Sequence, residues 1–250
     1  MLEIQHLTAG YPGNMVLQDI SLRFRAGAVT VVVGPNGCGK STLLKAIAGI
    51  LPSSGQILLN GEAICALPSR CRAQKIAFLP QNRQIPEITV GRLVLHGRFP
   101  YLTYPRQYRK ADYAAADAAM AALNLSDLAE RPLTSLSGGQ RQKAYIAMAL
   151  AQDTDVVLLD EPTTFLDIAH QLQLMALAKE LAANGKTIIL VLHDLTLALE
   201  YADAMVVMDN GTIAAQGRPE EVFRSGCLKT VFGTDVGRTL VDRNWKYFYL

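Results

Sequence analysis

Apolar and polar positions alternate along this chain in two distinct rhythms. Residues 28–33 are β-branched or small, nearly all apolar and flanked by glycines, the pattern of a strand buried on both faces. Residues 156–159 and 187–192 repeat that pattern, and the runs 2–7, 16–24, 56–59, 76–81, 204–208 and 212–216 also read as strands. Asn60-Gly61 and Asp209-Asn210-Gly211 mark hairpin turns, because such pairs accept positive φ. Helical spacing appears in residues 43–48, closed by Gly49, and in Ala144, Ala147, Met148 and Ala151 of segment 141–152. It recurs in Ile168, Leu172, Met175 and Ala176, in a helix ending at Asn184-Gly185. The alanine-rich segment 111–123 predicts a weakly amphipathic helix, and residues 52–55 a loop. In the tail, 228–250, Trp245, Tyr247, Phe248 and Tyr249 read as packed core or edge residues with no chemistry of their own.

Composition narrows the class. The 250 residues suffice for one large domain or two small ones, and half of them are hydrophobic, which argues against disorder. A net charge of +2 gives no basic character that would point to nucleic acid. No apolar run approaches the ~18 residues needed to cross a bilayer. Residues 1–6 lack the basic and apolar regions of a signal peptide, so the expectation is a cytoplasmic chain. The cysteines Cys38, Cys65, Cys71 and Cys227 show no metal-ligand spacing and read as reduced thiols.

Candidate chemistry concentrates at strand ends. Gly34-Pro35-Asn36-Gly37-Cys38-Gly39-Lys40-Ser41-Thr42 fits Gly-x4-Gly-Lys-Ser and lies between a strand and a helix N-terminus. Glycines let backbone N–H groups curl inward around phosphates, Lys40 would reach the β- and γ-phosphates, and Ser41 would offer a hydroxyl to Mg²⁺. Cys38 in this loop, near a helix N-terminus, is expected to have a lowered thiol pKa, and its alkylation to block nucleotide binding. Tyr11 stands in a turn, where it either stacks on a base or is a turn tyrosine without a ligand. Leu136-Ser137-Gly138-Gly139-Gln140 precedes a helix and reads either as a second anion site or as a cap with Ser137 as N-cap.

Asp160 and Glu161 end an apolar strand, where ligands of parallel sheets bind. Buried carboxylates there are costly unless used; Asp160 could hold Mg²⁺ through water and Glu161 could orient or deprotonate an attacking water. His193 stands at another strand end; a lone histidine is usually structural, but one beside Asp160 and Lys40 is better placed to contact a γ-phosphate. Between residues 83 and 110 lie Arg83, Arg92, Arg98, Arg106, Arg109 and Lys110 against Glu87 alone, with Phe99, Tyr101, Tyr104 and Tyr108 interleaved. That stretch is either a solvated loop or a docking surface for a partner or anionic lipid head groups.

The phosphate loop, Leu136–Gln140, 156–161 and His193, in this order, resemble the nucleotide-binding subunit of ATP-binding cassette (ABC) transporters. The resemblance covers nearly the whole chain. It implies an α/β P-loop NTPase fold, with an ATPase core and antiparallel β-subdomain in residues 1–82 and 151–250 and a helical subdomain in 83–150. It implies ATP and Mg²⁺ as cofactors. Tyr11 would stack on adenine, and residues 34–42, 137–140 and Asp167 would bind nucleotide. Gln81 would touch the Mg²⁺ and water site, Ser41 and Asp160 would hold the metal, and Lys40, Gln81, Glu161 and His193 would serve catalysis. It further implies a homodimer sandwiching two ATP, each between one subunit's phosphate loop and the other's signature. Two polytopic permease subunits would dock near residues 83–110, a periplasmic or extracellular binding protein would take part indirectly, and the chain would sit on the cytoplasmic face of the membrane. Gly97-Arg98-Phe99-Pro100 and Thr163-Thr164-Phe165-Leu166-Asp167 resemble the importers of iron chelates, haem and cobalamin, with Tyr101 departing from the histidine common there. An ABC ATPase of the iron–sulfur assembly type is the alternative, and a GTPase lacks its Asn-Lys-x-Asp motif here.

Overall fold

The computed structural model describes residues 1–242 and 244–250. In chain order the strands and helices are β1 (Leu2–Tyr11), β2 (Asn14–Phe24), β3 (Ala28–Val33), α1 (Lys40–Ile47), β4 (Ser53–Leu59), β5 (Glu62–Ala63), α2 (Ser69–Ala73), β6 (Ile76–Leu79), α3 (Val90–His96), α4 (Lys110–Ala122), α5 (Gly138–Ala151), β7 (Val156–Asp160), α6 (Ile168–Ala183), β8 (Thr187–Val191), α7 (Leu195–Tyr201), β9 (Ala204–Asp209), β10 (Thr212–Gly217), α8 (Pro219–Arg224), α9 (Cys227–Phe232), β11 (Val236–Val241) and β12 (Asn244–Tyr249).

The apolar runs assemble one sheet of order β10-β9-β3-β8-β7-β6, parallel except for its β10 edge. Strands β3, β7 and β8 are buried along their whole length, and successive side chains feed opposite faces. Val31, Val33, Leu159 and Leu190 join the core beneath α3–α6, whereas Val32, Leu158, Ile189 and Val191 join the core around α1. That second core is closed by the antiparallel sheet β2-β1-β4-β5, so α1 is packed between two sheets through Leu43, Leu44 and Ile47, each fully buried. Truncating such a leucine to alanine costs about 2–5 kcal/mol. The phosphate loop is thus carried between a central strand and a helix that cannot shift without opening the core.

Several expected boundaries move. β1 continues past residue 7 to Tyr11 because bulges, with His6 at φ 52° and Asp19 at φ 51°, interrupt its two-residue rhythm without ending its pairing. Residues 53–55, expected as loop, are the start of β4, held by Thr8 and Ala9 of β1. The strand expected over 76–81 stops at Leu79, leaving Gln81 on the following loop. The stretch 83–110, read either as a solvated loop or as a docking surface, contains α3, capped by Thr89, whose hydroxyl accepts the Arg92 N–H. Of the tail aromatics expected as core or edge, Trp245, Phe248 and Tyr249 lie half-exposed on the β11–β12 hairpin, whereas Tyr247 packs against the core.

Candidate functional site

The loop from Gly34 to Gly39 joins β3 to α1, and its glycines are there for two different reasons. Gly37 and Gly39 take positive φ (81° and 107°), which lets the backbone curl. At Gly34 a Cβ would lie 2.4 Å from the Met208 carbonyl oxygen and 2.6 Å from Cys38 Sγ, so a side chain there has no room. Lys40 is 6% exposed, and its ammonium donates to the carbonyls of Gly34 (2.7 Å) and Pro35 (2.9 Å), spanning the mouth of the curl. Asn36 and Gly37 are exposed at its rim and Thr42 is buried behind it. Tyr11, 43% exposed, ends β1 beside this mouth, where the Lys45 ammonium of α1 donates to its hydroxyl at 3.1 Å.

Cys38 corrects the sequence expectation. It is buried, and burial pushes its thiol pKa up, outweighing the nearby Lys40 charge that pulls it down.

The two carboxylates at the end of β7 are held differently. Asp160 is 1% exposed, and its Oδ1 atom is buried without a hydrogen-bond partner. Burial pushes its pKa up, while a hydrogen bond from Ser41 and the charges of Lys45 and Lys40 draw it down. An orphaned carboxylate oxygen beside the Ser41 hydroxyl is a donor set that suits a hard divalent cation. Glu161 follows in a left-handed turn (φ 51°). Its Oε2 accepts the Gln81 amide at 2.5 Å, and its Oε1 lies 2.5 Å from His193 Nε2. Glutamine, glutamate and histidine from the ends of β6, β7 and β8 thereby meet where the parallel strands terminate. This is an arrangement able to orient a water and accept its proton.

Ser137–Gln140 and Asp167 form a separate group. Ser137 caps α5: its hydroxyl accepts the Gln140 N–H at 3.2 Å while the Gln140 side chain accepts the Ser137 N–H at 3.1 Å. Asp167 caps α6 through the His170 N–H at 2.9 Å, which, with the His170 ring, holds its carboxyl pKa below the usual range. A cavity of about 580 Å³ lined by Ser137, Gly138, Gly139, Phe165, Asp167 and His170 opens here. Among the described residues, no hydrogen bond or ion pair joins 136–140 to 34–42. The cavity beside Ser137–Gln140 likewise takes no lining residue from 34–42.

One residue that braces the site has no counterpart in the sequence analysis. Gln142, 2% exposed, accepts from Arg83 at 2.6 Å and donates to the Pro162 carbonyl at 2.8 Å, bracing the loop after Gln81 and the turn after Glu161 against α5. The available signal was a glutamine among the small apolar positions of α5. Not all the cations of 83–110 face solvent or a partner. Arg83 stacks on Tyr145 at 4.4 Å, and Arg98 is buried against Asp112, because each finds a planar or anionic partner on the helical layer.

A parallel-sheet nucleotide fold with this loop, carboxylate pair and second glycine turn defines an ATP-binding cassette. Residues 17–164 match the ABC transporter family model, and the chain belongs to that family, whose members of this kind are ATPases. It is 49% identical to the achromobactin transport ATP-binding protein CbrD of Dickeya dadantii over 92% of this chain and 87% of that one. It is 45% identical to the petrobactin import ATP-binding protein FpuD of Bacillus anthracis, covering 92% and 86%. Among solved structures it resembles a chain from an inward-facing putative metal-chelate type ABC transporter, with TM-score 0.84, 29% identity and coverage of 100% and 97%.

Proposed function

We propose that this chain hydrolyses ATP to power an importer of iron chelates, working as a homodimer against two membrane permease subunits. The observation that carries the hydrolytic assignment is Glu161, braced by Gln81 and His193 at the end of β7, beside the phosphate loop. Residues 34–42 bind the phosphates through backbone N–H groups, with Lys40 exchanging its loop carbonyls for phosphate oxygens, and Tyr11 stacks on the base. Ser41, Asp160 and Gln81 hold Mg²⁺, which supplies charge neutralisation at the phosphates. Glu161 takes the proton of the attacking water; Gln81 and His193 hold its carboxylate in place, and His193 also reaches the γ-phosphate.

The homodimer reading is supported by the two turns sharing neither a hydrogen bond nor the cavity at Ser137–Gln140. Ser137–Gln140 and Asp167 face a cavity of their own, suited to the γ-phosphate of a nucleotide on a second copy. Residues 1–82 and 151–250 act as the ATPase core and 83–150 as the helical subdomain that meets the permease. Tyr104, 96% exposed, and Arg106 belong to that docking face. Among the described residues no helix is long and apolar enough to cross a membrane, which fits attachment through permease subunits, here read as being on the cytoplasmic face, with a binding protein delivering cargo from the other side. The cargo assignment rests on the siderophore names of the relatives, which also weigh against a transport-free role in iron–sulfur assembly.

Co-expression with the permease tests this. The complex should co-purify and take up ferric siderophore with ATP. Tyr104→Ala with Arg106→Ala should keep basal hydrolysis while weakening permease stimulation. Isolation without any polytopic membrane protein, at undiminished ATPase activity, would contradict the importer reading.

A further inference from the structure

α7 begins immediately beyond His193-Asp194, and its first turn is closed by two side chains of different origin. Asp194 Oδ1 accepts the N–H groups of Thr196 (2.8 Å) and Leu197 (3.2 Å) and the Thr196 hydroxyl (2.7 Å). The remaining N–H, from Leu195, donates to the hydroxyl of Tyr249 at 2.9 Å, and that hydroxyl lies 3.3 Å from Asp194 Oδ1. Tyr249 is the last residue of β12. The same strand reaches the far end of α7, where the Lys246 ammonium (2.5 Å) and the Tyr247 N–H (3.4 Å) both meet the Glu200 carboxylate. The β11–β12 hairpin is in turn fastened to α8, through Arg238 on Glu220 and the Tyr247 ring 5.3 Å from that of Phe223. The tail thus grips α7 at both ends.

We propose that Tyr249 is a positioning residue for ATP hydrolysis: by completing the cap of α7 it holds His193 against Glu161. This rests on the reading of His193 and Glu161 as parts of the hydrolytic site. An uncapped N–H at a helix start leaves that turn free to fray. The segment joining β8 to α7 is short, so fraying displaces His193. Reacting geometries tolerate little displacement. The Tyr249 hydroxyl has no hydrogen bond to the phosphate loop, so nucleotide affinity should not depend on it.

Tyr249→Phe in the full chain tests this, because it removes one oxygen and keeps the ring. Loss of one hydrogen bond predicts a kcat about fivefold lower and Leu195 amide exchange about fivefold faster, with the ATP dissociation constant unchanged. Single-turnover measurement in a His193→Ala background supplies the second readout: the Tyr249→Phe effect should vanish there. Unchanged kcat, a matching loss of ATP affinity, or an effect that persists without His193 would each overturn the proposal. Wild-type turnover in His193→Ala alone would instead remove the reading on which it rests.

Discussion

His193 Nε2 lies 2.5 Å from Glu161 Oε1, and the opposite oxygen of the same carboxylate takes the Gln81 amide. Three separate strand ends therefore converge on one side chain that is only 11% exposed. A carboxylate so braced has few rotamers left to it, which is what a base aimed at one water requires. The neighbouring Asp160, with an unpartnered buried oxygen, is placed for a cation. Two adjacent acids are thus held in different surroundings, which suit the two tasks proposed for them.

Replacing Lys40 should strike binding before catalysis. Its ammonium bridges two carbonyls of the loop that it closes, and phosphate oxygens would take their place. Lys40→Ala should raise the ATP dissociation constant by about tenfold or more, the worth of a charge-assisted contact. Titration calorimetry measures this, and wild-type affinity would rule out the cradle.

Arg98 should behave as a structural residue. Its side chain and that of Asp112 are 12% and 8% exposed, 3.1 Å apart, and the guanidinium also donates to the Ala151 carbonyl at 3.0 Å. Arg98→Ala leaves a buried carboxylate unpaired and should cost about 3 kcal/mol. At about 2–4 °C per kcal/mol for a chain of this size, Tm should fall by roughly 6–12 °C. Burial works to raise the Asp112 pKa, but the Arg109 N–H and the Arg98 guanidinium more than offset it, so the folded value lies below 3.8. That stability is present above the unfolded value of 3.8 and is lost as pH falls through the lower folded pKa. Thermal melts of wild type and Arg98→Ala should draw closer in that acidic range and differ most at neutral pH.

Cys38 should be a slow thiol. It is 5% exposed with a raised pKa, whereas Cys65 and Cys71 are exposed. Mass spectrometry after brief iodoacetamide treatment at pH 7 should find the latter two labelled first. Label forced onto Cys38 should abolish ATP binding, because Gly34 and Lys40 leave it no space. Early labelling of Cys38 would contradict the burial.

The buried strands, the phosphate loop and the carboxylate pair were legible because each depends on local pattern: continuous β-branched runs, glycines before Lys40, acids after Leu159. The Ser137 cap was legible for the same reason. Elsewhere long-range contact decides. α3 contains Gly91 and is closed by Thr89, so periodicity alone passed over it, while its start is tied to the 129–131 backbone. The direction of Arg83 and Arg98 depended on Tyr145 and Asp112, residues remote in sequence. Cys38 misled because proximity to a helix N-terminus is visible in sequence and desolvation is not. The tail's grip on α7 is set by Tyr249 and Glu200, which no local motif links.

The central claim is that each nucleotide site is completed by a second copy of the chain. Light scattering of Glu161→Gln with ATP and Mg²⁺ tests it most directly, since this variant should bind ATP yet hydrolyse it about a hundredfold or more slowly. The account predicts an ATP-dependent dimer that reverts to monomer when nucleotide is removed. A variant that stays monomeric in saturating ATP, or that turns over at the wild-type rate, would contradict it.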